Sequence, residues 1–188
     1  MRFGEARRGS TALQRAEHDL LFRTHYPTVV TYLAGRVPKE DAKDLAADVF
    51  VEAWRQRERV IVDEDRGWLP WLFTVARNMA AAWWASRKTR DAKEAMAGAV
   101  AAPVDDFIER IVEVQAASQV LSVTLMAMTR LCDEDREILE LCGLYGFTPA
   151  QAAISLELPV GTTRVRLHRA RHRLAELVAA ESNAEEVS

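Results

Sequence analysis

Between Thr162 and Arg173 the chain carries Arg164, Arg166, Arg169, Arg171 and Arg173 with His168 and His172, and no acidic residue. Guanidinium groups at this density suit phosphates and guanine edges, which they meet with planar, multiply donating forks. The formal net charge of the 188-residue chain is nevertheless -3, so the basic segment is a local device rather than a sample of the composition. A second set is acidic. Asp41, Asp44, Asp48 and Glu52 fall at i, i+3, i+7 and i+11, on one stripe of a helix, beside an apolar face of Leu45, Ala46, Val49, Phe50 and Ala53. Carboxylates next to an apolar edge can pair with the basic side chains of a protein partner while Leu45, Val49 and Phe50 are buried nearby. A third set, from Val62 to Arg90, mixes Trp68, Trp71, Phe73, Trp83 and Trp84 with Arg66, Arg77, Asn78, Arg87, Lys88 and Arg90. Stacking aromatics beside basic side chains are what grips an unpaired nucleic-acid strand.

Helices must position all three. The chain has only eight glycines and six prolines, and nowhere do β-branched and polar residues alternate over a strand length, so an all-α fold is expected. For the basic set, Thr148 reads as an N-cap with Pro149 at the first helical position. Ala152, Ala153 and Leu156 then pack inward, "ELPVG" turns the chain, and a second helix begins near Gly161: a helix-turn-helix. At about 100° per residue, Leu167, Ala170, Leu174, Leu177 and Val178 form the buried stripe. Arg164, Val165, His168 and Arg169 lie opposite, flanked by Arg166 and Arg173. An ordinary solvated arginine face gives no reason for Val165 there, whereas a major groove offers it a thymine methyl. The N-terminal part of such a helix enters the groove, which makes Arg164, Val165, His168 and Arg169 candidates for base edges. Thr162, Arg166, Arg171 and Arg173 are candidates for phosphates.

Along the rest of the chain, a helix is expected from Glu17 to about Leu33, with a break at Pro38 before the acidic helix. The loop "VDEDRG" precedes the aromatic helix. Residues 91–112, rich in Ala and interrupted by a Gly and a Pro, read as a flexible tether. Helices are then expected at 113–130, 133–145, 148–157 and 160–180, followed by an acidic tail at 181–188. No apolar run has the length of a signal h-region or a membrane span, which predicts a cytoplasmic protein without membrane insertion. Cys132 and Cys142 lack metal spacing and read as buried free thiols. His25 reads as a packed helix histidine.

"LPVGTTRVRLHRARHRL" (158–174) resembles the domain-four segment of extracytoplasmic-function (ECF, group IV) sigma factors of the sigma-70 family. "DAKDLAADVFVEAW" resembles their clamp-binding helix in domain two, and "WLFTVARN" their promoter-melting region. The resemblance implies two small helical domains: sigma domain two at 17–90 and the helix-turn-helix sigma domain four at 113–180, joined by a flexible linker at 91–112. It assigns Asp44, Leu45, Asp48, Val49 and Glu52 to the beta-prime clamp of core RNA polymerase. Arg66, Trp68, Arg77, Asn78, Trp84, Arg87 and Lys88 go to the minus-10 element, and the residues from Thr162 to Arg173 named above to the minus-35 duplex. It implies as partners core polymerase, promoter DNA and an anti-sigma factor, with no cofactor, no metal and no catalytic activity. Trp71 and Phe73 are expected in the core, and the adjacent Trp83 and Trp84 cannot both be buried on one helix. A stand-alone helix-turn-helix regulator would need an α/β sensory domain, for which residues 1–112 show no strand pattern. A helical enzyme would need His18, His25, His168 or His172 in a nucleophile or metal arrangement, and none has one.

Overall fold

The computed structural model describes the backbone of residues 3–60, 62–95 and 119–186, and the side chains of 16–60, 62–90 and 123–180. Described residues form helices and no strand, as the residue pattern predicts. The chain divides into two compact units, Met1–Arg87 and Lys88–Ser188.

In the first unit, α1 (Phe3–Ala34) begins well before the expected position. It tolerates Pro27 in its interior, whose carbonyl accepts the Thr31 hydroxyl at 2.9 Å. Bonds from the amides of Arg36 and Val37 back to the Leu33 carbonyl, at 2.8 and 2.9 Å, close the helix. Helix α2 (Lys39–Gln56) starts directly after Pro38, with Glu40 and Asp41 in its first turn, where carboxylates oppose the positive end of the helix dipole. Helix α3 (Leu69–Ala95) completes the unit with its residues up to Arg87. Val29, Tyr32, Leu33 and Val37 bury against Ala42, Ala46, Val49, Phe50 and Ala53 of α2 and Leu72, Phe73, Ala76 and Ala80 of α3. The alanines let the helices approach, and the ring of Tyr32 meets that of Phe73 at 4.3 Å between centroids. Trp71 departs from expectation: it is half-buried at the rim, and Phe73 alone of the two lies in the core.

Between α2 and α3 the chain makes a tight loop. Asp63 and Gly67 exchange both backbone hydrogen bonds at 3.0 Å, and the Asp63 carboxylate accepts the amides of Asp65 (3.1 Å) and Arg66 (2.8 Å). Gly67 closes the turn at φ 58°, a left-handed conformation that costs a residue with a Cβ. Residues 91–95, expected to open the tether, continue α3; the remainder of the expected tether lies outside the described residues.

The second unit contains α4 (Gln119–Thr129), α5 (Asp133–Leu139), α6 (Pro149–Leu156) and α7 (Val160–Glu186). Helices α4, α5 and α6 all pack on α7. Ile138, Leu141, Phe147, Ala152, Ala153, Leu156, Leu167 and Ala170 are among its core residues. The helix expected over 133–145 is α-helical only to Leu139 and continues as a π turn, Glu140–Leu144. Helix α6 is capped as its sequence requires: Thr148 Oγ1 accepts the Gln151 amide at 3.2 Å, and Gln151 Oε1 accepts the Thr148 amide at 2.9 Å, a reciprocal capping box. Its other end closes through Glu157, a non-glycine residue at φ 54°, and a bond from the Leu158 amide to the Ala153 carbonyl at 3.0 Å.

Helix α7 runs on to Glu186, so the stretch expected as an acidic tail is helical from 181 to 186. Of its expected buried stripe, Leu167 and Ala170 are buried, but Leu174, Leu177 and Val178 are only half-buried. Length explains this: a helix of 27 residues is about 40 Å long at 1.5 Å per residue, and neighbours of 7 to 11 residues cannot cover it.

Candidate nucleic-acid and polymerase interfaces

The turn between α6 and α7 determines how α7 is presented. Thr163, wholly buried, donates its hydroxyl to the Pro159 carbonyl at 3.1 Å, and its amide meets the same oxygen at 3.0 Å. With Thr163, Leu167 and Ala170 turned inward, the opposite face must look outward. Val165 stands there 53% exposed, with Arg164, His168, Arg169, Arg171 and Arg173 exposed and Arg166 half-exposed. The predicted DNA-contacting residues separate into two groups. Thr162, Val165, Arg166, Arg169 and Arg173 line one open groove of about 520 Å³ together with Gly161 and Asp135. Arg164, His168 and Arg171 do not line it. Nor does His172, which pairs with Glu176 at 3.3 Å.

Sequence reasoning missed Asp135. It lies on α5, thirty-eight residues from Arg173, and its carboxylate forms an ion pair with that guanidinium. No periodicity connects the two positions. Arg173, expected to hold a phosphate, therefore already has an anionic partner within the domain.

On α2 the stack of Phe22 on Tyr26 (4.5 Å) and the edge contact of Phe22 with Phe50 (5.0 Å) seat one face against α1. The outward stripe then presents Asp44, Ala47 and Asp48, all exposed, and Val51, 46% exposed. The assignment of Val49 and Phe50 to a partner surface is corrected: at 0% and 1% exposure they belong to the core of their own unit. The helical period explains the error, because an apolar face looks the same whether its own domain or a partner covers it. Val51, which the wheel places within about 60° of Asp44 and Asp48, is the apolar residue that reasoning overlooked. Leu45 is half-buried at the edge, and Glu52 is held by Gln56, which donates to it, and by Arg55 at 3.6 Å.

In the third set, Arg66 and Asn78 are exposed and Trp68 and Arg77 half-buried. The Trp68 ring stands edge-on to Trp71 at 5.8 Å. Arg77, Trp84 and Lys88 recur at i, i+7 and i+11 and share one stripe of α3. Trp83 is half-buried and Trp84 exposed, their rings perpendicular at 4.9 Å. Trp84 Nε1 donates to the Arg36 carbonyl at 2.7 Å, so its indole pins α3 to the end of α1 while part of the ring faces outward. Arg87 lies over the Trp83 ring at 5.3 Å from the centroid, a cation–π contact.

Burial shifts two further groups. His25 is half-buried, and burial pushes its imidazole below the ordinary value. Cys142 is half-buried and its thiol is raised by burial, with Arg171 opposing the shift. Cys132 is exposed, which corrects the expectation of two buried thiols.

Two helical units, one built around a helix-turn-helix with a basic outward face, define a DNA-binding protein with a separate acidic helix. Comparison with known families narrows the class. Residues 21–90 match the family model described as Sigma-70 region 2, and residues 123–174 that described as Sigma-70, region 4. The ECF RNA polymerase sigma factor SigL of Mycobacterium tuberculosis (strain ATCC 25618 / H37Rv) is 30% identical over 167 residues, covering 86% of this chain and 89% of SigL. The RNA polymerase sigma factor CnrH of Cupriavidus metallidurans is 27% identical over 185 residues, 94% of each chain. Among solved structures, the sigma factor RpoE of Bartonella quintana, crystallised with the anti-sigma factor NepR, superposes with a TM-score of 0.58 at 23% identity, over 87% of this chain and 97% of RpoE. The chain belongs to the extracytoplasmic-function RNA polymerase sigma factors of the sigma-70 family. The match to both regions supports this reading over a stand-alone regulator.

Proposed function

We propose that this sigma factor divides its work among the three surfaces. On α2, Asp44 and Asp48 with Val51 on the following turn of the same stripe, and Leu45 and Glu52 at the margin, dock the chain on the beta-prime clamp. Carboxylates orient the encounter with basic clamp side chains and the exposed valine is desolvated on contact. Arg66, Trp68, Arg77, Asn78, Trp84, Arg87 and Lys88 hold the opened strand of the minus-10 element, with Asn78 suited to a base edge and Trp84 to stacking through its outward ring. On α7, Arg164, Val165, His168 and Arg169 read the minus-35 duplex, and Thr162, Arg166 and Arg171 meet phosphates.

The observation that carries this reading is Val165: an apolar side chain more than half exposed on the arginine face of α7. Domain two is proposed to occupy 17–90 and domain four 113–180, in line with the matches at 21–90 and 123–174. This two-domain plan is what supports the group IV assignment. The proposal extends to control by an anti-sigma factor, since RpoE, whose fold this chain shares, was solved with one. It acts in the cytoplasm, where polymerase and promoter meet; no described helix is long and apolar enough to cross a membrane. As a specificity subunit it carries no catalytic group of its own.

The test is run-off transcription. Added to core polymerase, the chain should produce a defined transcript from a promoter on which core alone is silent. DNA binding without any change in the transcripts of core polymerase would overturn the proposal.

A further inference from the structure

The ion pair between Asp135 and Arg173 has chemistry that DNA reading alone does not require. Three acidic residues open α5: Asp133, Glu134 and Asp135. Asp133 pairs locally with Arg136, whereas Asp135 turns into the domain, its side chain 8% exposed against 59% for Arg173. The carboxylate stands in the wall of the groove that Thr162, Val165, Arg166 and Arg169 line. Arg173 is two turns beyond Val165, about 12 Å along α7. It therefore lies past the part of the helix that enters the groove and at the level of the phosphate backbone.

We propose that Asp135 is a positioning residue that locks Arg173 onto α5 and removes its charge from the phosphate-binding set. This rests on the sigma-factor reading above. A phosphate approaching Arg173 meets a pair whose net charge is zero and whose anion is already in place, so it gains little and must be brought beside a like charge. Arg166, Arg169 and Arg171 have no such partner among the described residues and remain available. The lock thereby limits sequence-independent affinity, which scales with the number of phosphates neutralised, and leaves a larger share of binding to the residues that read bases. It also fixes the seat of α7 on α5, because the two partners lie on those two helices.

The experiment measures the salt dependence of promoter binding by the full chain bound to core polymerase. Each phosphate neutralised contributes about 0.9 to the slope of log K against log salt. Asp135→Asn unlocks Arg173 with little change of shape, so the slope should steepen by about 0.9 and low-salt affinity for unrelated duplexes should rise. The double variant D135N/R173Q removes both charges and should retain the wild-type slope, whether or not the single variant folds well. An unchanged slope for Asp135→Asn, or a double variant whose slope is shallower than wild type by about 0.9, would show that Arg173 already holds a phosphate and overturn the lock. If the wild-type complex binds no promoter at all, the sigma-factor reading fails, and the lock fails with it.

Discussion

Replacing Val165 with Ala tests the reading of α7 most directly, because it changes two methyl groups and no charge. Val165 is 53% exposed, so about half of its side chain is left to be desolvated on binding. Two methyl carbons at about 0.8 kcal/mol each, halved for the part already covered, give about 0.8 kcal/mol, or roughly a fourfold loss of affinity. Fold stability should not change measurably, since the side chain faces solvent and fills no core. The informative assay is a double cycle on promoter duplexes in which each minus-35 thymine in turn is replaced by uracil, which lacks only the 5-methyl group. At the position that Val165 touches, the base change and the Val165→Ala change should each weaken binding by about fourfold, and together by little more than either alone. A fourfold loss of equal size on thymine and uracil duplexes at every position would refute the contact and return Val165 to the status of an incidental surface residue.

The other surfaces give predictions of the same kind. Asp48→Lys and Val51→Glu, both at exposed positions on α2, should weaken binding to core polymerase by tenfold or more in a pull-down or anisotropy titration, with melting temperature unchanged. Thr148→Ala breaks the capping box of α6 and should cost about 1 kcal/mol in urea unfolding, well above the effect of an exposed loop substitution. His25, whose folded imidazole is depressed by burial, binds its proton more readily in the unfolded chain. Stability should therefore fall as pH drops below about 6.5, and His25→Gln should flatten that part of the curve in pH-dependent thermal melts. Iodoacetamide should label exposed Cys132 before Cys142, whose thiol is raised by burial, as peptide mapping at mildly alkaline pH would show.

Periodicity was informative wherever a helix has a partner along its length. Leu167 and Ala170 on α7, and Ala46 and Ala53 on α2, were readable as core because a 3.6-residue repeat is all that burial against one neighbour demands. The same repeat was silent about what does the covering, which is why Val49 was assigned to a partner and Val51 passed over. It was also silent about contacts between distant segments. Trp84 donating to the Arg36 carbonyl spans 48 residues, and Arg173 pairing with Asp135 spans 38; neither leaves a trace in local spacing. The left-handed residue Glu157 and the π turn at Glu140–Leu144 left no signal in the spacing either.

The two outward surfaces share a plan with opposite signs. On α2 an exposed valine lies among carboxylates, and on α7 an exposed valine lies among arginines. In each case the charges act over a distance and fall off with ionic strength, whereas the valine acts only at contact and through desolvation. The two kinds of residue should therefore act on different steps: the carboxylates and arginines on association and its salt dependence, Val51 and Val165 on dissociation. Surfaces of like charge within one face, and opposite charge between faces, also disfavour docking either on the other's target, since α2 would repel DNA. A chain with net charge -3 can thus hold a strongly basic helix without being a general DNA-binding protein, and the neutral pair of Arg173 with Asp135 acts in the same direction on α7 itself.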